Sequence, residues 1–184
     1  MSQNFWYAIQ CTTGKEELVR ERLAAIFNHY KTFLPRRELE IRKAGRVSRQ
    51  IQPLFSGYFF LSSRGQLIIS EALELVKKVN QTLSDKGVVR VLGMGGGKLP
   101  SGGDALIPIP QGEIEQIRML ADERDLVGFS TFVHQGDTMV ITSGPLRGRE
   151  AIIKQVNRRK KRVRVSLELM GTVREIDLGL SALT

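Results

Sequence analysis

Residues 36–53 read RRELEIRKAGRVSRQIQP and gather Arg36, Arg37, Arg42, Lys43, Arg46 and Arg49 against only Glu38 and Glu40. Guanidinium is a planar fork of donors that matches phosphate oxygens and base edges. Five arginines in fourteen residues (36–49) therefore suit contact with a polyanion. A charged ribbon also discourages edge-to-edge sheet pairing, but one or two lysines suffice for that. Directly behind, LFSGYFFL (54–61) is almost wholly apolar and aromatic, so a second surface of opposite character adjoins the first.

Other arrangements that could do chemistry fail on spacing. The loop VLGMGGGKLPSGG (91–103) is rich in glycine, but Leu92 and Leu99 stand where a phosphate-binding loop needs Gly and Ser or Thr. A dinucleotide fingerprint starting at Gly93 meets Lys98 in place of its third Gly. His29 and His134 fall in different expected domains, and neither has a Cys or acidic cluster nearby. Cys11, at an expected strand end, reads as a small buried hydrophobe. With one cysteine and two histidines, no zinc site and no intramolecular disulfide is expected. Neither an enzymatic reaction nor a cofactor is called for.

The chain has 184 residues and a net charge of +9, with a pI near 10.1. That charge lies in two blocks, net +6 over 1–120 and net +5 over 131–184, with a joint of net −2 between them. A basic balance of this kind favours a nucleic-acid partner. No apolar run approaches the roughly 18 residues that span a bilayer, so no membrane association is expected. The N-terminal MSQNFWYAIQ lacks the pattern of a secretion signal, which makes the cytoplasm the expected compartment.

The elements that must position these surfaces follow from periodicity. NFWYAIQC reads as a strand, and residues 15–28 as a helix with Leu18, Val19, Leu23, Ile26 and Phe27 on one face. Alternation on both sides of Ala44-Gly45 predicts a β-hairpin, and GYFFL, apolar on both faces, an interior strand. Residues 66–79 fit a helix burying Ile69, Leu73, Val76 and Val79; a strand GVVRVL and a short helix within PIPQGEIEQIRML follow. The order β-α-β-β-α-β suggests an α+β, ferredoxin-like sheet with helices on one face. From Thr131 short strands (DTMVIT, REAIIKQV, KRVRVSLEL, TVREIDL) predict a small five-stranded barrel, with ADERDLVGFS as a linker before it. The tip Asn157-Arg158-Arg159-Lys160-Lys161 suits either anion contact or plain solvation.

WYAIQCTTGKEE, LFSGYFFL after a hairpin, and GVVRVLG before a glycine-containing loop together resemble the N-terminal (NGN) domain of NusG-type transcription elongation factors. GDTMVITSGPLRGREAIIKQV, with the strands after it, resembles the KOW module of the same family, and the match runs over nearly the whole chain. The resemblance implies a ferredoxin-like NGN domain over 1–120, a linker at 121–130 and an SH3-like KOW barrel over 131–184. It implies an apolar pocket for the clamp helices of RNA polymerase at Phe55, Tyr58 and Phe60, with Val89 or Val91 from the neighbouring strand. In the family the KOW module engages a small-subunit ribosomal protein or the termination factor Rho.

The arginine-dense hairpin looks more like the specialised, operon-specific antiterminators, above all the LoaP type, which recognise a hairpin in nascent RNA. On that reading Arg36, Arg37, Arg42, Lys43, Arg46 and Arg49, with Lys15 and Arg22 from the first helix, form the RNA face. Non-template DNA is a further candidate ligand. The alternative is a general NusG factor that modulates pausing and couples to Rho or the ribosome. A bacterial, monomeric protein is expected on either reading.

Overall fold

A computed structural model of the chain describes residues 4–84, 87–92, 96–98, 104–135 and 138–182. In order the elements are β1 (Phe5–Cys11), α1 (Glu16–Ile26), β2 (Lys31–Phe33), β3 (Arg36–Lys43), β4 (Arg46–Pro53), β5 (Tyr58–Ser63), α2 (Ile69–Gln81) and β6 (Val88–Leu92). Two short strands, β7 (Gly96–Lys98) and β8 (Asp104–Leu106), precede α3 (Gln111–Arg118) and β9 (Leu126–Val127). The remainder is all strand apart from a 3-10 turn at Glu150–Ile152: β10 (Ser130–Gln135), β11 (Thr138–Ser143), β12 (Ile153–Asn157), β13 (Arg162–Leu169) and β14 (Thr172–Ala182). This is an α+β fold in two compact units, Met1–Leu34 with Phe55–Ile114 and Pro35–Leu54 with Glu115–Thr184.

In the first unit the sheet order is β2-β5-β1-β6, antiparallel throughout. β5 is interior, which is why GYFFL is apolar on both faces. Alternation sends Tyr7, Ile9, Phe59 and Leu61 to one side, where Val19 and Leu23 of α1 and Leu75 and Val79 of α2 complete a core. The buried Glu16, in the first turn of α1, accepts the Gly57 N–H at 2.7 Å. The Gly57 carbonyl in turn accepts the Cys11 N–H at 2.8 Å, so this corner fixes where β5 begins.

The expected helix faces are partly displaced. In α1 Val19 and Leu23 are buried, but Leu18 and Ile26 are exposed. In α2 the buried positions are Ala72, Leu75 and Val79, whereas Ile69 and Leu73 face outward. Both helices carry more apolar residues than one stripe needs, and docking on the sheet, not hydrophobicity alone, selects the stripe.

In the second unit the sheet order is β11-β10-β14-β13-β12, which supplies the five strands expected after Thr131. The hairpin β3–β4 forms as the alternation predicts, with Ala44 and Gly45 both at positive φ in its two-residue turn. Its grouping departs from the expected division at 120 and 131, because residues 35–54 fall with the C-terminal strands. The presumed linker 121–130 is also folded. Asp122 Oδ1 accepts the Arg124 and Leu126 N–H groups, and β9 pairs in parallel with β3. Val127 and Ser130 are buried. The acidic composition of ADERDLVGFS reflects this Asp-stabilised turn.

The hairpin rests on β14 through an unusually close approach. A Cβ on Gly179 would stand 2.8 Å from the Glu38 carbonyl oxygen and 2.9 Å from the Phe129 ring. The Arg37 Nη1 donates to the Asp177 carbonyl at 2.8 Å, and Lys161 Nζ donates to Glu40 Oε2 at 2.9 Å.

Two substitutions test these positions by chemical denaturation. Glu16→Ala strands the buried Gly57 N–H and is expected to cost about 1–3 kcal/mol, with a smaller loss for Glu16→Gln, which keeps an acceptor. Gly179→Ala forces the hairpin and Phe129 away from β14, with an expected cost of about 1–3 kcal/mol from overpacking. A midpoint unchanged by Gly179→Ala would contradict the close approach.

Candidate functional site

The six hairpin cations do not act alike. Cross-strand register and alternation place Arg36, Arg42 and Arg49 on one face of the ribbon and Arg37, Lys43 and Arg46 on the other. Arg36 Nη2 donates to the Arg124 carbonyl at 2.7 Å. Arg49 lies 3.7 Å from Glu38 and 4.9 Å above the Phe129 ring centroid, a cation–π geometry. Arg37 is bonded to the Asp177 carbonyl, and burial pushes its guanidinium down from the ordinary arginine value, with the Asp177 charge opposing and Arg162 adding to the shift. These three hold the fold. Arg42, Lys43 and Arg46, flanking the turn, are exposed and form no ion pair with any described residue.

Lys15 and Arg22 belong to the first unit, so the expected set of eight divides between the two units. Lys15 stands at the start of α1 and is half-buried; Arg22 is exposed on that helix. Glu38 and Glu40, alternating with the cations, were the sequence signal that part of the ribbon serves internal pairing.

Sequence reasoning left the basic tip at 158–162 unresolved. In the structure it is a fixed turn next to a cluster of paired charges. Arg164 Nε donates to Asp177 Oδ1 at 2.9 Å, and Arg162 Nη1 lies 3.7 Å from the other carboxylate oxygen. Burial pushes the Asp177 carboxyl up, but the Arg164 hydrogen bond and the charges of Arg164, Arg162 and Arg37 outweigh it and hold it below the ordinary range. Arg159 and Lys160 remain exposed beyond this cluster.

The aromatic cluster lies on the first sheet, on the face opposite the one that α1 and α2 cover. Tyr58 pairs with Gln10, Phe60 with Ala8 and with Phe33, so Trp6, Phe33, Tyr58 and Phe60 share that face. Phe33 stacks on Phe60 at 5.9 Å, Phe55 meets Phe60 edge-on at 5.9 Å, and Trp6 meets Phe33 edge-on at 6.3 Å. Phe60 is fully buried and Phe55 is 8% exposed. Tyr58 is half-buried, its hydroxyl accepting from Gln10 Nε2 at 3.1 Å while Arg90 Nε donates to Gln10 Oε1 at 2.7 Å.

Val91 is a correction: it pairs with Ile9 and packs against the helix-side core, because register puts it on the opposite face from Tyr58 and Phe60. The Val89 side chain lies outside the described residues. Sequence reasoning missed Trp6, Phe33 and the polar row Tyr58–Gln10–Arg90. Alternation in NFWYAIQC gives Trp6 and Gln10 a common face, whereas Phe33 required the β2–β5 register.

Burial, with Glu16 adding, pushes the Cys11 thiol up to about 12, so it is no nucleophile at neutral pH. His29 packs beside Tyr30, ring centroids 4.0 Å apart, while the His134 side chain lies outside the described residues. Most of the glycine-rich loop lies outside them too; Gly96–Lys98 pairs with Asp104–Leu106. Among the described residues no group of three His, Cys, Asp or Glu side chains could hold a metal ion. No helix among them is long and apolar enough to cross a membrane.

Comparison with known proteins agrees along the chain. Residues 4–118 match the family model of transcription termination factor NusG, and residues 135–168 match the KOW motif. The transcription termination/antitermination proteins NusG of Buchnera aphidicola and Pseudomonas aeruginosa are each 25% identical, over 96% of this chain and 93% and 95% of theirs. That of Thermus thermophilus is 22% identical over 96% of this chain and 95% of its own. A solved structure described as domain interaction in Thermotoga maritima NusG covers 97% of this chain and 93% of its own, at 20% identity and a TM-score of 0.48. With a NusG model over most of its length and a KOW motif after it, the chain belongs to the NusG family.

Proposed function

We propose that this chain is an operon-specific antitermination and elongation factor that binds RNA polymerase through the aromatic face of its first unit and an RNA hairpin through its second. The observation that carries the reading is the hairpin tip, where Arg42, Lys43 and Arg46 stand exposed and without ion pairs among the described residues, on a ribbon otherwise fastened to the fold. Such cations contact phosphates without first breaking an internal pair, and a rigid ribbon loses little entropy on binding. Folded RNA, read through backbone shape and loops, suits a β-ribbon of this kind. On this reading the protein is a LoaP-like member of its family.

The polymerase face is read as Phe55, Tyr58 and Phe60 together with Trp6 and Phe33. Phe60 forms the floor of this aromatic cluster and Tyr58 its half-exposed edge. The partner is the apolar surface of the polymerase clamp helices, and binding there favours the closed, elongating state by a population shift. The order β2-β5-β1-β6 supports a ferredoxin-like NGN domain, and the five C-terminal strands support an SH3-like KOW barrel whose partner is a small-subunit ribosomal protein or Rho. The protein works in the cytoplasm, as a monomer.

A general NusG factor is the second reading. It is favoured by relatives from several bacteria, all carrying the plain NusG name and matched over 87–95% of their length. The two readings separate on RNA. A stem-loop RNA selected from a randomised-loop pool should bind the full chain above background. Arg42→Glu/Lys43→Glu/Arg46→Glu should then weaken binding at least about tenfold and flatten the salt dependence by about 2–3 in slope. Polymerase binding should stay unchanged. A selected pool no tighter than the starting pool, alongside intact polymerase binding, would establish the general factor instead.

A further inference from the structure

We propose that the β12–β13 turn and the outer half of the β3–β4 hairpin form one phosphate-binding cleft that seats the backbone of folded RNA, so that the C-terminal sheet itself holds the transcript. This rests on the RNA-binding reading above and goes beyond it, because that reading needs only the hairpin tip.

The cleft measures about 400 Å³ and is lined by Glu40, Ile41 and Arg42 from β3 and by Arg159, Lys160 and Arg162 from the turn and the start of β13. Its size falls in the roughly 300–1,000 Å³ range of ligand sites. Four cations face one carboxylate, and that carboxylate, Glu40, is already held by Lys161 Nζ at 2.9 Å. No ion pair engages Arg42, Arg159 or the Lys160 ammonium among the described residues. The Nε of Arg162 is buried without a hydrogen-bond partner among them, while its Nη1 lies 3.7 Å from Asp177.

The turn is held in shape before any ligand arrives. Asn157 Oδ1 accepts the Lys160 N–H at 3.0 Å, and the Arg158 carbonyl accepts the Lys161 N–H at 3.0 Å. Lys161 sits at positive φ, and its carbonyl accepts the Leu180 N–H at 3.0 Å, tying the turn to β14. The opposite wall is fixed by Arg37 on the Asp177 carbonyl and by the Glu38–Gly179 approach. Ile41 adds an apolar wall against which a ribose or base can lie. Cations spread along an open cleft that reaches Arg42 beside the hairpin turn match a repeating polyanion better than a single small anion.

The test uses the full chain and the same selected stem-loop RNA. Arg159→Ala/Lys160→Ala, both in an exposed turn, should weaken binding about tenfold near 0.15 M salt and flatten the salt slope by about 1–2, with an unchanged circular dichroism spectrum. Arg159→Lys should retain most of the affinity, and Lys77→Ala, on the exposed side of α2, should retain all of it. Wild-type affinity in the Arg159→Ala/Lys160→Ala protein, while the triple hairpin-tip variant still fails, would overturn the cleft and leave the tip reading standing. A wild-type chain that binds no selected RNA would overturn both. Equal affinity for a DNA stem-loop of the same sequence would overturn the choice of RNA.

Discussion

The approach of the Glu38 carbonyl to Gly179 is the constraint on which the second unit depends. A two-stranded ribbon is marginal in water on its own, and this one lacks a continuous apolar face. It is held by a sequence of contacts along its length. Arg37 reaches the Asp177 carbonyl, Glu38 passes over the glycine, Glu40 takes Lys161, and Arg49 covers Phe129. A side chain at 179 would separate the ribbon from β14 and break the spacing of all four. Pairing of β3 with β9 then fixes the base of the ribbon along the same strand.

That attachment sorts the positive charge. Cations near the base of the ribbon are engaged by carbonyls, a carboxylate or a ring, and the desolvated Arg37 is the extreme case. Arg42, Lys43 and Arg46 near its tip, and Arg159 and Lys160 in the β12–β13 turn, keep their charge for solvent or ligand. Asp177 performs the same sorting on the strands: it holds Arg162 and Arg164 in place, and its own carboxyl is kept ionised by them. Structural pairs of this kind orient the free cations, which lowers the entropic cost of binding a phosphate run. A dense basic sequence thereby becomes a shaped surface.

Much of the fold was legible because it rests on periodicity. The hairpin turn at Ala44-Gly45, the interior position of GYFFL and the strand-rich C-terminal part follow from alternation and turn chemistry. The helix stripes were half legible, since Ile69 and Leu73 have the right spacing but the sheet selects Ala72, Leu75 and Val79. The site was less legible for a reason of distance. Glu38 and Gly179 are far apart in sequence, and nothing local in either segment announces the other. The grouping of 35–54 with the C-terminal strands, the division of the arginines into engaged and free, and the opposite face of Val91 all depend on such tertiary register.

Native-state hydrogen exchange across the full chain tests most directly whether hairpin and C-terminal strands are one folded unit. Backbone amides of Arg36–Pro53 should open together with those of β13 and β14 as denaturant rises, sharing one free energy and one denaturant dependence. Amides of β1 and β5 should follow a separate course. Hairpin amides that instead open with β1 and β5, or alone at low denaturant while β14 stays protected, would contradict the account.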